Sequence, residues 1–179
     1  MYIVGEGAIF MDFFKNMFKK TEKVDFHKVP DDELIEAAVN WIYSLISKSD
    51  NEFDAVMKLS EPFKFLYATN AVFNEMMNGG FNQLIFNSSK VWIITSFKGV
   101  HAIGLPEIAS QMVKGVEILN ANMDKLSPYL DGTIESFSKS YELKLFDEID
   151  KVFSDNQQEI QSETIQYIRN HIDFFGRRK

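Results

Sequence analysis

The sequence predicts an all-α fold, a single multi-helix globular domain with a buried central helix. Three observations carry this. Apolar residues recur at intervals of three and four, as one face of a helix requires. Helix-start signals stand ahead of those runs at Pro30-Asp31-Asp32-Glu33, Ser60-Glu61-Pro62 and Pro106, and glycines follow them at Gly79-Gly80, Gly104 and Gly176. Seventeen Phe among 179 residues supply the rings with which such helices pack on one another.

Residues 1–29 read as an N-terminal amphipathic helix and linker. Phe10, Phe13, Phe14, Met17 and Phe18 line one face of a basic stretch. That face suits weak membrane contact through residues 10–20 or a partner helix; a helix docked on its own core, or a disordered tail, is the plainer reading. Met11 is an alternative start. Lys19 to Val29 is polar and mixed in charge, as a linker is.

The main domain is expected over residues 30–176. Pro30 and the acids after it open a helix carrying Leu34, Ala38, Trp41, Ile42 and Leu45, through about Lys48. Ser60 and Pro62 open the next, which carries apolar residues on two faces and stops at Gly79-Gly80 through a left-handed cap. Phe81 to Asn87 follows as one or two turns. Lys90 to Ile103 is apolar nearly all round (Val91, Trp92, Ile93, Ile94, Phe97, Val100) and is the expected central helix. Val91–Thr95 has strand propensity, but the spacing Val91, Ile94, Phe97, His101 runs too long for a typical strand. Gly104 ends this helix. Pro106 opens another, with Ile108, Met112, Val116 and Leu119. Asn120 to Ser138 is looser, with turn signals at Ser127-Pro128 and Asp131-Gly132. Two helices close the domain, one from Tyr141 to Phe153 and one from Ile160 to Phe175. A basic tail, residues 177–179, ends the chain.

Composition excludes several classes. Without cysteine there are no disulfides and no thiolate metal sites, which fits a cytoplasmic protein. No apolar run approaches the roughly 20 residues of a membrane-spanning helix. A net charge of −7 disfavours direct nucleic-acid binding and suits a basic partner. His27, His101 and His171 are scattered, and His101 reads as a core or rim residue. No phosphate loop, nucleophile elbow or zinc-protease pattern is present. Asp147, Glu148 and Asp150, at the end of a helix pattern, lack the spacing of a calcium loop. Helix Pro106 to Leu119 carries only Lys114 as a basic residue, too little for a recognition helix. The expectation is a non-enzyme with no catalytic residue, metal or cofactor.

The charge is local. From Glu117 to Glu163 eleven acids face four lysines, so this segment holds the whole net −7. Such a run is ordinarily a solvated face. The sharper reading is a surface that steers a basic protein, with Asp124, Asp131, Glu135, Glu142, Asp147, Glu148, Asp150, Asp155 and Glu159 as candidate contacts.

The least generic segment is Asn78-Gly79-Gly80-Phe81-Asn82-Gln83-Leu84-Ile85-Phe86-Asn87-Ser88-Ser89. A double glycine lets the backbone turn sharply between packed helices. Phe81 and Phe86 are expected in the core, and Asn78, Gln83 and Asn87 at exposed helix ends. The segment reads as a buried, hydrogen-bonded corner; a polar ligand pocket is the alternative, and nothing nearby would act as base or nucleophile.

This element (Asn78, Gly79, Gly80, Phe81, then Gln83, Phe86, Asn87 and Ser88) resembles the DMP-type DNA-mimic protein family of small helical bacterial proteins. The likeness extends through Phe97 to Leu119, with Ile103-Gly104 at a turn, and through Leu145 to Phe153 and Tyr167-Ile168-Arg169. It covers roughly Ser60 to Phe175. The resemblance implies an all-helical fold and, for the namesake, acidic side chains placed like phosphates in a basic groove. The implied partner is a basic protein such as a DNA-binding transcription factor, and the motif would mark the fold while the acids decide mimicry. An immunity or antitoxin-like protein bound to one toxin, or a helical domain without mimicry, is the alternative. Oligomeric state is not legible.

Overall fold

Three consecutive acids, Asp31, Asp32 and Glu33, suit the free amides and positive dipole end of a first helical turn. In the computed structural model, which describes residues 24–176, they form that turn in α1 (Asp31–Ile46), with Pro30 just before it. Leu34, Ala38 and Ile42 are buried as their spacing predicts, together with Val39 and Ile46. Leu45, predicted for the same face, is exposed instead. A short α2 (Glu52–Met57), which sequence reading does not anticipate, is capped by Asn51, whose side chain accepts from the Asp54 N–H.

The structural centre is α3 (Glu61–Phe86), entered through Ser60 and Pro62 and broken at Gly79 and Gly80. Its buried residues include Phe63, Leu66, Tyr67, Val72, Phe73 and Met76 before the break, and Phe81, Leu84 and Ile85 after it. Apolar residues on two faces predict burial from both sides, and α3 touches α1, α2 and two helices that follow it.

This corrects the placing of the central helix. Residues 90–103 are neither one helix nor buried all round. A 3-10 turn, Ser88–Trp92, precedes α4 (Ile93–Ile103). Val91 is 52% exposed and Ile94 77% exposed, while Trp92, Ser96, Gly99, Val100 and Ile103 face inward. The reason is a close crossing: a Cβ on Gly99 would stand 2.9 Å from the Phe65 carbonyl oxygen. No side chain fits at that point of contact; Val100 and Ile103 are still buried on the same helix, while Val91 and Ile94 point outward. His101 is exposed as well.

Gly104, at φ 104°, makes the left-handed turn into α5 (Pro106–Ala121), which buries Ile108, Ala109, Met112 and Gly115. The stretch read as loose contains α6 (Met123–Leu126) and α7 (Ile134–Ser140), joined by a 3-10 turn at Ser127–Tyr129. The closing pair is α8 (Asp147–Asp155), which packs on α3 and α5, and α9 (Gln157–Asn170), which packs on α1 and α4. The first of the pair is shorter than predicted. Tyr141–Leu143 is a separate 3-10 turn, and Lys144, at φ 50°, bends the chain before α8. Asp147, Glu148 and Asp150 therefore begin a helix rather than end one. Among the described residues there is no strand, and no helix is long and apolar enough to cross a membrane.

The packed unit reaches further back than residue 30. Phe26, read as part of the linker, is 2% exposed and lies 5.2 Å from the Phe175 ring and 6.3 Å from the Trp41 ring, centroid to centroid. Arg169 fastens this segment by donating to the carbonyls of Phe26 and Val29, at 3.0 and 2.7 Å, and by pairing with Asp31. The predicted helix over residues 10–20, the alternative start at Met11 and the basic tail 177–179 lie outside the described residues.

Candidate functional site

The corner that the sequence marks as unusual is where the middle and end of the chain meet. Gly79 has extended backbone (φ −160°, ψ 20°), and Gly80 (φ 69°, ψ −164°) lies in a region open essentially to glycine alone. The helix break is therefore not the left-handed cap predicted for it, but an offset of the chain followed at once by renewed helix.

That offset frees the Phe81 N–H from the helix ladder, and Asp150 at the start of α8 accepts it at 2.7 Å. From the same side, the Tyr141 hydroxyl donates to the Gly79 carbonyl at 2.7 Å. A Cβ at Gly80 would overlap the Asp150 carboxylate, and one at Gly79 would overlap the Gln83 side chain and crowd the Tyr141 hydroxyl. Phe81 is fully buried and packs on Phe146 with centroids 4.8 Å apart.

A second carboxylate organises the far side of the joint. Glu75 accepts from Gln83 at 2.8 Å, Asn87 at 2.7 Å and Ser89 at 2.8 Å. Gln83 and Asn87 thus serve an acid side chain rather than helix-end amides, as the sequence suggested. Asn78 is exposed and makes no side-chain hydrogen bond among the described residues; Phe86 is half-buried, against Phe137 at 5.1 Å. Ser88 is exposed at the start of the 3-10 turn. Buried Asn82 donates to Ser140 at 3.3 Å. Glu75, Asn82 and Tyr141 escaped sequence reasoning because their partners lie up to 62 residues away. The corner is a packed joint with its polar groups turned inward, not an open ligand pocket.

Asp150 was predicted as one of nine surface acids, and here the structure departs from that reading. It is half-buried and bound to backbone. Burial pushes its carboxyl above the ordinary carboxylate range, the Phe81 N–H opposes this, and the Asp147 charge adds to it. A carboxyl raised on folding weakens the fold when ionised, and that cost lifts as pH falls through its folded value. Asp150→Asn, which keeps an acceptor for Phe81, is expected to match or exceed wild-type stability at pH 7 by up to about 1 kcal/mol. The gain should vanish in urea titrations near pH 4. Asp150→Ala, which strands the N–H, should cost about 1–3 kcal/mol at either pH. Equal losses for both variants at pH 7 would refute this assignment.

The other eight candidate acids are exposed. Three are engaged locally: Asp131 accepts from Thr133 and Ser136, Glu135 pairs with Lys139, and Asp155 pairs with Lys151. Asp124, Glu142, Asp147, Glu148 and Glu159 have no ion-pair partner among the described residues. Asp147, Glu148 and Asp155 share α8 with buried Ile149 and Phe153, which lock that helix onto the core. Among the described residues no group of three or more His, Cys, Asp or Glu is placed to hold a metal ion.

A family model described as DMP19-like protein matches residues 57–171, from the end of α2 through α9. No curated protein and no solved structure matches the chain.

Proposed function

The chain belongs to the DMP19-like family, and from that premise we propose that it is a non-enzymatic protein-binding module whose acidic surface occupies the basic groove of a DNA-binding protein. The single observation that supports this is the distribution of charge. The entire net charge falls between Glu117 and Glu163, and six acids there (Glu117, Asp124, Glu142, Asp147, Glu148 and Glu159) are exposed with no ion-pair partner among the described residues. Two of the four lysines in the segment, Lys139 and Lys151, are taken up by pairs with Glu135 and Asp155. Carboxylates carried on rigid helices keep their spacing, so they can displace the counterions of a basic groove as phosphates do. The core that carries them does the positioning; the acids supply the attraction.

The test is capture from a lysate of the source organism at low salt, followed by a salt gradient and by competition with duplex DNA. A DNA-binding protein should be retained, released by salt and displaced by the duplex. The triple variant Glu142→Lys/Glu148→Lys/Glu159→Lys should lose at least about tenfold in affinity for it, since each exposed charge pair contributes up to roughly 1 kcal/mol. Binding that ignores both salt and charge reversal would sink the mimicry reading. A captured protein that is acidic and held through apolar contacts would do the same.

A further inference from the structure

A second polar feature lies beside the corner and shares only Ser89 with its hydrogen bonds. Between α2, α3 and the 3-10 turn after Asn87 is an open cleft of about 550 Å³. Four aromatic rings wall it: Tyr43, Phe53, Tyr67 and Trp92. Phe53 stacks on Trp92 at 5.1 Å, Tyr67 meets the Trp92 edge at 5.3 Å, and Tyr43 meets Tyr67 at 5.1 Å. The rings hold each other, so the wall is built before any ligand arrives.

The polar lining is one-sided. Asp50 and Glu52 contribute carboxylates, Ser88 and Ser89 contribute hydroxyls, and among the described residues no Lys, Arg or His lines the cleft. Glu52 interacts with the Tyr67 hydroxyl, which in turn meets Tyr43. Burial holds both phenols above their ordinary range, so they remain neutral donors at physiological pH. Tyr43 and Phe53 expose ring surface of negative quadrupole, backed by buried Tyr67 and Trp92, and with two carboxylates and no competing cation among the described residues that surface attracts a flat or alkylated cation. A guanidinium fits this chemistry best, because its plane stacks on a ring while its N–H groups reach carboxylates in the same layer.

We propose that this cleft binds an arginine side chain of a basic protein partner. That the arginine comes from a protein rests on the function proposed above; the affinity of the cleft for the cation does not. Tyr43, Asp50, Glu52 and Phe53 precede the family-matched stretch, so half of the wall is supplied by residues outside it.

The chain has two tryptophans, which makes the test direct. Trp92 is in the cleft wall, whereas Trp41 packs with Phe26, Phe63 and Phe175 in a separate cluster and serves as the internal reference. N-acetyl-arginine amide is titrated into the full chain while the two indole N–H resonances are followed by NMR. The expected result is a saturable shift of Trp92 alone, with a dissociation constant on the order of millimolar. The neutral citrulline analogue should not reproduce it. Asp50→Asn/Glu52→Gln and, separately, the half-exposed Phe53→Ala should each weaken binding at least about fivefold. Linear drift of both indoles, an equal response to citrulline, or variants that bind like wild type would each overturn the cation site. Tighter binding of tetramethylammonium than of the arginine amide would overturn arginine as the occupant. Because no partner is present, failure here is separable from failure of the acidic surface, which the capture experiment reads independently.

Discussion

Gly80→Ala is expected to be the most damaging single methyl in the protein, costing more than about 3 kcal/mol. Two penalties combine at one atom. The backbone at φ 69°, ψ −164° excludes a side chain on steric grounds alone, and the new Cβ would occupy the space of the Asp150 carboxylate. Against a total stability of roughly 5–15 kcal/mol, this is a large fraction of the folding free energy. Urea denaturation followed by near-ultraviolet circular dichroism measures it. Combining the change with Asp150→Ala should recover part of the loss, because it removes the clash and leaves the backbone strain. A Gly80→Ala protein that unfolds at the wild-type urea midpoint would mean that the joint does not need the conformation described.

The second large effect is expected at Phe81. Its ring is fully buried between Phe146 and the Gly115 backbone, with no space left over: a Cβ on Gly115 would stand 2.3 Å from the Phe81 Cε2 atom. Phe81→Ala should cost about 3–5 kcal/mol from lost burial and the cavity left behind. For a chain of this length that lowers the melting temperature by roughly 6–20 °C, read by calorimetry. The neighbouring glycine supplies a test of mechanism. Gly115→Ala should destabilise the wild type, where it meets the ring, and be neutral or stabilising in Phe81→Ala, where it fills part of the void. A double-mutant cycle showing simple additivity would exclude the packing described here, since residues in contact are expected to couple.

Both variants act on the element at residues 78–88, which lies within the family-matched stretch, and they explain why that element has its composition. Glycine at position 80 permits the offset, the offset frees the Phe81 N–H, and the freed N–H requires an acceptor. Asp150 supplies it from 69 residues away. The motif is therefore one half of a joint whose other half is in α8. It secures the helix that carries Asp147, Glu148 and Asp155 on its outer face, which is how a structural corner and a proposed binding surface come to be connected.

Much of this was legible in the chain. The all-helical class follows from apolar spacing and from Pro and Gly at helix ends, because these reflect interactions within a few residues. The break at Gly79-Gly80, the turn at Gly104 and part of the buried sets of α1 (Leu34, Ala38, Ile42) and α5 (Ile108, Met112) follow for the same reason. The localisation of charge between Glu117 and Glu163 is arithmetic on the sequence and needs no fold at all.

What only the tertiary structure decided is which of several apolar faces is covered and which polar groups meet. Residues 90–103 look like the most buried helix by composition, yet α4 buries only Ser96, Gly99, Val100 and Ile103, crosses α3 closely at Gly99 and leaves Ile94 facing outward. Phe26 reads as linker until Arg169 and the rings of Trp41 and Phe175 hold it. Asp150 is indistinguishable in sequence from Asp147, three residues before it, but one is bound to Phe81 and the other faces solvent. The physical reason is the same in each case. Local spacing records what a helix needs along its own axis, whereas burial and pairing depend on contacts between residues far apart in the chain, whose geometry exists only once the helices have packed.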